Sequence, residues 1–451
     1  MDWTWAPSSP ALLTDLYELT MAAAYVAEDM AETTATFSLF VRALPPTRGY
    51  LVAAGLDGVL AYLEALRFTD DDLACLEGLD LLGAPALERL ARLRFTGSVR
   101  AVPEGTVVFA GEPILEVTAP MVEAQLVETL ILNLVTTGTT LASKAARYRY
   151  AAGDRTLAEF ALRRCQGVDA ALHLVRAARI CGLESTSNVA GARRFGLPAS
   201  GTMAHSFVQA HRREVDAFRA FTALFGPATV LLVDTFDPWR GIERAVAVAR
   251  EAQEGGVTLR ALRLDSGDLA ALARHARDRL DDAGCPEVGV IASGGLDEDR
   301  IAELVAEGAP IDGFGVGSDL GVSGDAPVID TVYKLVEFGG RPVRKRSPGK
   351  ETWPGAKQVW RGPGWGGDVL ALVGEEPPAP AYRPLLVEVM AGGTRTPAGR
   401  ESLAAAADRF GGEWGSLPEE VRRLHEPRPV AVAPSPALVR ATADLGGQLD
   451  R

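Results

Sequence analysis

Apolar and polar positions follow one rhythm in the first third of the chain and another in the middle. Residues 11–25 carry apolar side chains at helical spacing, with Thr14 and Asp15 as candidate caps. Residues 34–41 alternate as a strand, and the turn Pro45-Pro46 follows. Residues 51–66 and 70–79 read as helices. Over 95–117, β-branched residues are punctuated by Gly97, Pro103, Gly105, Gly111 and Pro113, the mark of a small antiparallel unit with tight turns. Residues 122–150 predict a long helix, interrupted near 136–140 where threonines cluster.

From about residue 156 the rhythm becomes strand, loop, helix, repeated. Strands are predicted over 156–161, 183–187, 199–203, 229–234, 259–265, 288–293 and 313–317. Helices are predicted between them over 168–181, 190–195, 206–225, 239–254, 269–283 and 298–307. Such alternation means a parallel sheet. With no sign of an order reversal, it favours an irregular α/β barrel of about seven parallel strands over an open doubly wound sheet. The expected organisation is an N-terminal α+β domain over 1–130 and a catalytic barrel over 131–340. A C-terminal segment, 341–426, returns to the first domain, and a loosely ordered tail occupies 427–451. Residues 1–10 are expected to be a loose tail as well.

A chain of 451 residues can bury one large core or two ordinary ones. Its formal net charge of −13 argues against broad binding to nucleic acid or anionic membranes. Anionic substrates therefore need positive charge gathered locally. Cys75, Cys165, Cys181 and Cys285 have no close paired spacing, so neither a disulfide framework nor a zinc site is expected. Free thiols suit a reducing compartment, and the opening residues lack a basic-then-apolar signal pattern, so the expected location is the cytoplasm.

The predicted strand ends collect the chemistry. They carry Arg163 and Arg164, Ser187 and Asn188, His205, Asp234, Asp265, Ser293 with Gly294 and Gly295, and Gly317 with Ser318. Active sites of parallel α/β folds lie at these ends. His205 ends the small-residue run Ala199-Ser-Gly-Thr-Met-Ala-His, and Ser206 is a candidate cap for the helix after it. Asp234 and Asp265 have two readings, as helix caps or as carboxylates for sugar hydroxyls or Mg²⁺. Glycine-rich ends supply backbone N–H groups to phosphate, and adjacent arginines supply a fork for an anion. The set describes a site for an anionic, phosphorylated substrate.

An ordered series of runs resembles the nicotinate phosphoribosyltransferase family. The runs are Leu12-Leu-Thr-Asp-Leu-Tyr17, Phe160-Ala-Leu-Arg163-Arg164, Thr186-Ser-Asn-Val-Ala-Gly191, Gly201-Thr-Met-Ala-His-Ser206, Arg263-Leu-Asp265-Ser-Gly-Asp268 and Gly313-Phe-Gly-Val-Gly317-Ser318. Val332-Tyr-Lys-Leu-Val336 and Ser347-Pro-Gly-Lys350 complete a set spread over about 340 residues. The resemblance implies transfer of a phosphoribosyl group from phosphoribosyl diphosphate to nicotinate, coupled to ATP hydrolysis, with Mg²⁺, in a homodimer with shared sites. It implies that Phe160 and a partner chain's Tyr17 sandwich the pyridine ring, with Arg164 at the carboxylate and Ser187 beside it. Arg263 and Asp265 match residues that hold the ribose. Ser293, Gly294, Gly317 and Ser318 match the 5′-phosphate cradle. Arg42 and Lys350 match basic residues that reach the diphosphate, and His205 matches the histidine that ATP phosphorylates. The glycines at 294 and 295 depart from the polar residues that relatives often carry there, leaving backbone donors only.

Two other readings compete. Quinolinate has two carboxylates and needs more cationic groups. Nicotinamide enzymes of this kind place an Asp where this chain has Ser187, and a carboxylate there would repel nicotinate. A degenerate barrel kept as a binding module is the non-enzymatic alternative, against which the intact Arg164, His205 and Asp265 stand.

Overall fold

The computed structural model describes residues 9–449, so the expectation for residues 1–8 lies outside the described residues. Two compact units are present: residues 1–143 with 328–451, and residues 144–327. The division falls within the helix Glu128–Ala152.

The first unit is built on a seven-stranded sheet. Thr34–Val41 matches its predicted span and sits near the middle, antiparallel to Pro113–Pro120 on one side and Thr331–Phe338 on the other. Its Phe37 stacks on Tyr333 with ring centroids 4.8 Å apart. Ser98–Ala101 and Val387–Ala391 extend the sheet beyond Pro113–Pro120. Main-chain hydrogen bonds thus bring Thr331–Phe338 and Val387–Ala391 to opposite sides of the N-terminal strands. Residues 357–372 add a second small sheet, and the strand Val432–Pro434 joins it in parallel.

Several predicted boundaries move here. Residues 51–66 are not one helix: Leu51–Val52 pairs with Val107–Val108, and the helix begins at Leu56 after Gly55, whose φ is +102°. A Cβ at Gly55 would stand 2.4 Å from the Leu134 carbonyl oxygen, so close packing requires glycine and ends the strand there. The helix Glu128–Ala152 runs unbroken through Thr136 to Thr140; the interruption is earlier, at Val127. Weak threonine propensity loses to tertiary contacts. Thr139 accepts from the Ala54 N–H, Ser143 accepts from that of Val52, and Gly138 lets the Ala54 backbone approach. The tail is not loose: the helix Pro436–Leu449 follows the strand Val432–Pro434, and Leu438 is fully buried. Ser9 caps a short 3₁₀ turn at Pro10–Leu12, so order begins earlier than expected. The helices Ala84–Ala91 and Leu403–Ser416 had no counterpart in the sequence reading.

The second unit holds six parallel strands in the order Ser185–Thr186, Thr156–Glu159, Gly313–Val316, Gly289–Ala292, Ala261–Leu264, Val230–Leu232. Each lies within a predicted strand. The sheet stays open, with Ser185–Thr186 and Val230–Leu232 as its two edges, so the expected seven-stranded barrel is not closed. The seventh strand, predicted over 199–203, does not form. Only an isolated bridge joins Ala199 to Thr186. Pro198 has no N–H to give a ladder, and Gly201 has no side chain to pack, so the pairing stops after Ser200 N–H reaches the Thr186 carbonyl. The helix expected over 206–225 is two, His205–Gln209 and Glu214–Phe225. Ala204 rather than Ser206 occupies the cap position of the first.

Candidate active site

The carboxyl ends of the parallel strands open into a cleft of about 450 Å³. Phe160, Arg163, Ser187, Thr202, His205, Arg263 and Asp265 line it, with Leu232, Gly201, Met203 and Ala204. The unformed seventh strand is therefore a wall of the cleft, and its irregular backbone faces open space: a Cβ at Gly201 would meet nothing within 4 Å.

Arg263 organises the floor. Its Nε donates to Ser293 Oγ at 2.7 Å, Nη1 to Thr202 Oγ1 at 3.0 Å, and Nη2 to Asp265 Oδ1 at 2.5 Å. The guanidinium lies 5.7 Å from the centre of the Phe160 ring. Gly315 makes room for that ring, since a Cβ there would stand 2.6 Å from Phe160 Cε2. Ser293 is buried and donates to Asp265 Oδ1 at 2.5 Å, so its hydroxyl belongs to the Arg263–Asp265 network. Burial pushes the Asp265 carboxyl up, but the Ser293 hydrogen bond, Arg263 and His205 outweigh it and hold the group below the ordinary carboxylate range.

The caps clarify the aspartates. Asp237 and Asp268 cap the helices Pro238–Glu254 and Leu269–Asp282 through the N–H groups of Arg240 and Ala271. Asp234 and Asp265 are thus released from capping. Asp234 Oδ2 accepts from the Asp265 N–H at 3.1 Å and from Ser266 Oγ at 2.5 Å, and its buried Oδ1 has no hydrogen-bond partner. His205 is held at Nδ1, 3.1 Å from Thr235 Oγ1, while Nε2 stands 3.8 Å from Asp265 Oδ2. Thr235 was not anticipated from the sequence; its place directly after Asp234 at a strand end was the available signal.

Glu159 sets the other wall. Its buried carboxylate accepts from the Ala161 N–H and from Thr186 Oγ1, so one side chain fixes the turns carrying Phe160–Arg163 and Ser187. Of the arginine pair, Arg163 lines the cleft; Arg164, also exposed, is not among the lining residues. The glycine turns lie beside this floor. Gly294 has φ +88°, and a Cβ there would meet the Asp265 carbonyl oxygen at 1.7 Å. Gly317 precedes Ser318 where the backbone passes the Phe160 carbonyl.

Tyr17, Arg42 and Lys350 belong to the first unit. Tyr17 is half-exposed in the first turn of the helix Leu16–Ala27. Arg42 pairs with Asp330 at 3.3 Å and lines a small cavity of about 250 Å³ with Gly349 and Glu351, the neighbours of the exposed Lys350. No group of three or more potential metal-ligating side chains occurs among the described residues. No helix among them is long and apolar enough to cross a membrane.

Family models cover both units. Residues 12–136 match the nicotinate phosphoribosyltransferase N-terminal domain, and residues 156–352 match the nicotinate phosphoribosyltransferase family. Nicotinate phosphoribosyltransferase pncB2 of Mycobacterium tuberculosis (strain ATCC 25618 / H37Rv) is 48% identical over 94% of this chain and 91% of its own length. The nicotinate phosphoribosyltransferase of Bacillus subtilis (strain 168) is 43% identical over 80% of this chain and 75% of its own. The crystal structure of human nicotinic acid phosphoribosyltransferase superposes with a TM-score of 0.84 at 31% identity, over 96% of this chain and 99% of that one. Fold and sequence similarity over nearly the whole chain agree, and the chain belongs to the nicotinate phosphoribosyltransferase family.

Proposed function

We propose that this chain transfers the phosphoribosyl group of phosphoribosyl diphosphate to the ring nitrogen of nicotinate, giving nicotinate mononucleotide and diphosphate. The observation that carries the reading is the convergence of an aromatic ring, a free arginine and the Arg263–Asp265–His205 set on one cleft. Phe160 offers a face to the pyridine ring. Arg163 brings a fork for the carboxylate to the lining, and Ser187 adds no negative charge to oppose it. The resemblance assigns that carboxylate to Arg164, and the two arginines are separable by substitution.

The nicotinate nitrogen gives its electron pair to C1 of the sugar while the C1–oxygen bond breaks and its pair leaves on diphosphate. Little covalent chemistry falls to the protein, so positioning and charge dominate. Asp265, kept ionised by its neighbours, suits the sugar hydroxyls and the cationic character that develops at C1. Mg²⁺, when bound, neutralises the diphosphate. The donor set fits a cation held by one or two carboxylates, Asp265 and Asp234, together with substrate oxygens rather than by a full protein cage.

ATP coupling through His205 belongs to the same reading. With Nδ1–H donating to Thr235, the lone pair of Nε2 is left for the γ-phosphorus. The N–P bond forms as the bond to ADP breaks; water later releases phosphate. Asp265 beside Nε2 steadies the ring while it is cationic. The partner chain's Tyr17 closing the site, in a homodimer, completes the proposal.

An assay of mononucleotide formation from nicotinate, nicotinamide and quinolinate, with and without ATP, tests it. Nicotinate is expected to win by at least about tenfold over nicotinamide, because a charge-assisted hydrogen bond is worth roughly 1.5–3 kcal/mol. His205→Ala should retain transfer while ADP formed per mononucleotide falls towards zero; unchanged stoichiometry rules out the histidine's role. In the same assay Arg163→Lys is expected to raise the KM for nicotinate more than Arg164→Lys does. Equal preference for acid and amide in the wild type overturns the reading.

A further inference from the structure

A buried ionic cluster in the second unit is used by none of the chemistry above. Lys144, Arg147 and Tyr148 stand at i, i+3 and i+4 on one face of the helix Glu128–Ala152. The Lys144 ammonium is 2.6 Å from Glu298 Oε2, 2.7 Å from Asp319 Oδ2 and 3.2 Å from Asp325 Oδ1. Arg147 Nε donates to Glu298 Oε1 at 2.7 Å and lies 3.6 Å from Asp325 Oδ2. The Tyr148 hydroxyl lies 2.8 Å from Asp319 Oδ2 and 3.0 Å from the Leu296 carbonyl oxygen. Lys144 is 1% exposed and Glu298 3%.

The placement of the acceptors is informative. Leu296 directly follows Gly294-Gly295, and Glu298 opens the helix behind that turn. Asp319 directly follows Gly317-Ser318. One helix face therefore holds both glycine turns of the phosphate cradle from behind. Those turns need holding. Gly294 and Gly295 have φ of +88° and +68°, and glycine loses more freedom on ordering than any other residue. Backbone N–H groups select a phosphate only if their spacing is fixed before it arrives.

Stability alone does not account for the cluster. Buried ion pairs are often matched or bettered by apolar residues of the same volume, because desolvation offsets their attraction. What an ammonium shared by two loops supplies, and an apolar contact does not, is a fixed distance between them. Lys144, 2.7 Å from Asp319 Oδ2, also sets a positive charge against the carboxylate that directly follows Ser318.

We propose that Lys144 and Tyr148 are positioning residues that set the geometry of the 5′-phosphate cradle by tying the Gly294 and Gly317 turns to one helix. The inference rests on the reading that these turns receive the phosphate.

The test measures binding of nicotinate mononucleotide and of nicotinate riboside, which lacks the phosphate, by titration calorimetry without ATP. The proteins are the wild type, Tyr148→Phe and Lys144→Met. Wild type should bind the nucleotide more tightly; equal binding of the two ligands shows that the cradle reading itself fails. Given that preference, Tyr148→Phe should weaken the nucleotide about tenfold and the riboside less than about twofold, the scale of one hydrogen bond to a charged group. Its KM should rise for phosphoribosyl diphosphate and stay level for nicotinate. Lys144→Met should have a larger effect in the same direction; if it does not fold, Tyr148→Phe decides alone, because it keeps the ring and every charge. A folded variant whose two affinities fall equally, or in which neither falls, overturns the inference.

Discussion

At Gly294 a single hydrogen atom decides whether the site can form. A methyl group there would lie 1.7 Å from the Asp265 carbonyl oxygen, in a backbone region L-residues disfavour. Gly294→Ala is expected to cost roughly 2 kcal/mol or more and to lower kcat/KM at least about tenfold, because the displaced strand end carries Asp265. Gly295→Asn, at φ +68° with open space around it, should cost less than about 1 kcal/mol. Urea denaturation and steady-state kinetics on both variants check the contrast; similar losses at the two positions would refute it. The sequence showed a departure at both glycines but could not rank them, because the obstruction is a carbonyl about thirty residues earlier.

Where helices pack, the same physics gives a pH dependence. Glu18, on the helix Leu16–Ala27, is buried against Gln125 of the helix Met121–Leu126 and Glu128 of the helix that follows. Burial raises its carboxyl to about 7, against hydrogen bonding from Gln125 and with Glu128 and Asp15 adding to the rise. The folded chain thus holds a proton that the unfolded chain releases near the ordinary carboxylate value. This stabilisation is complete below pH about 4.5 and is lost as pH rises through about 7, a swing of at most about 3 kcal/mol. Glu18→Gln should flatten the fall of Tm between pH 5 and 7 and be the more stable protein at pH 8. A variant whose Tm–pH curve parallels the wild type contradicts the assignment. Apolar spacing predicted this helix, but nothing local marks Glu18 as inward-facing beside a second carboxylate.

At the scale of a whole unit, residues 432–438 complete the sheet and core of the first unit. The strand Val432–Pro434 covers the edge of Asp368–Leu372, and Ser435 donates to Glu375 and caps Leu438. A chain ending at residue 427 should melt several degrees lower, since an exposed strand edge and the uncovered contacts of Leu438 together amount to roughly 2–3 kcal/mol. Calorimetry on the two lengths measures it; an unchanged Tm would mean these contacts contribute nothing. The Ala- and Pro-rich composition of that tail hid its order, because its stability lies in partners more than fifty residues away.

Periodicity along the chain encodes the elements that local patterns can specify. The span Thr34–Val41, six parallel strands and the polar residues at their ends were legible because a strand's inward faces and its terminal loop are local patterns. Which aspartates cap was half-legible: Asp237 and Asp268 outcompete Asp234 and Asp265 through their distance from the first helical turn. Long-range contacts make the segment after Pro198 a cleft wall rather than a strand, keep the threonines at 136–140 helical, and put Arg163 on the cleft while Ser293 turns to Asp265. Each of these depends on hydrogen-bond partners and steric neighbours supplied from distant parts of the chain. A pattern read along one segment carries the direction of its side chains, not the identity of what they meet.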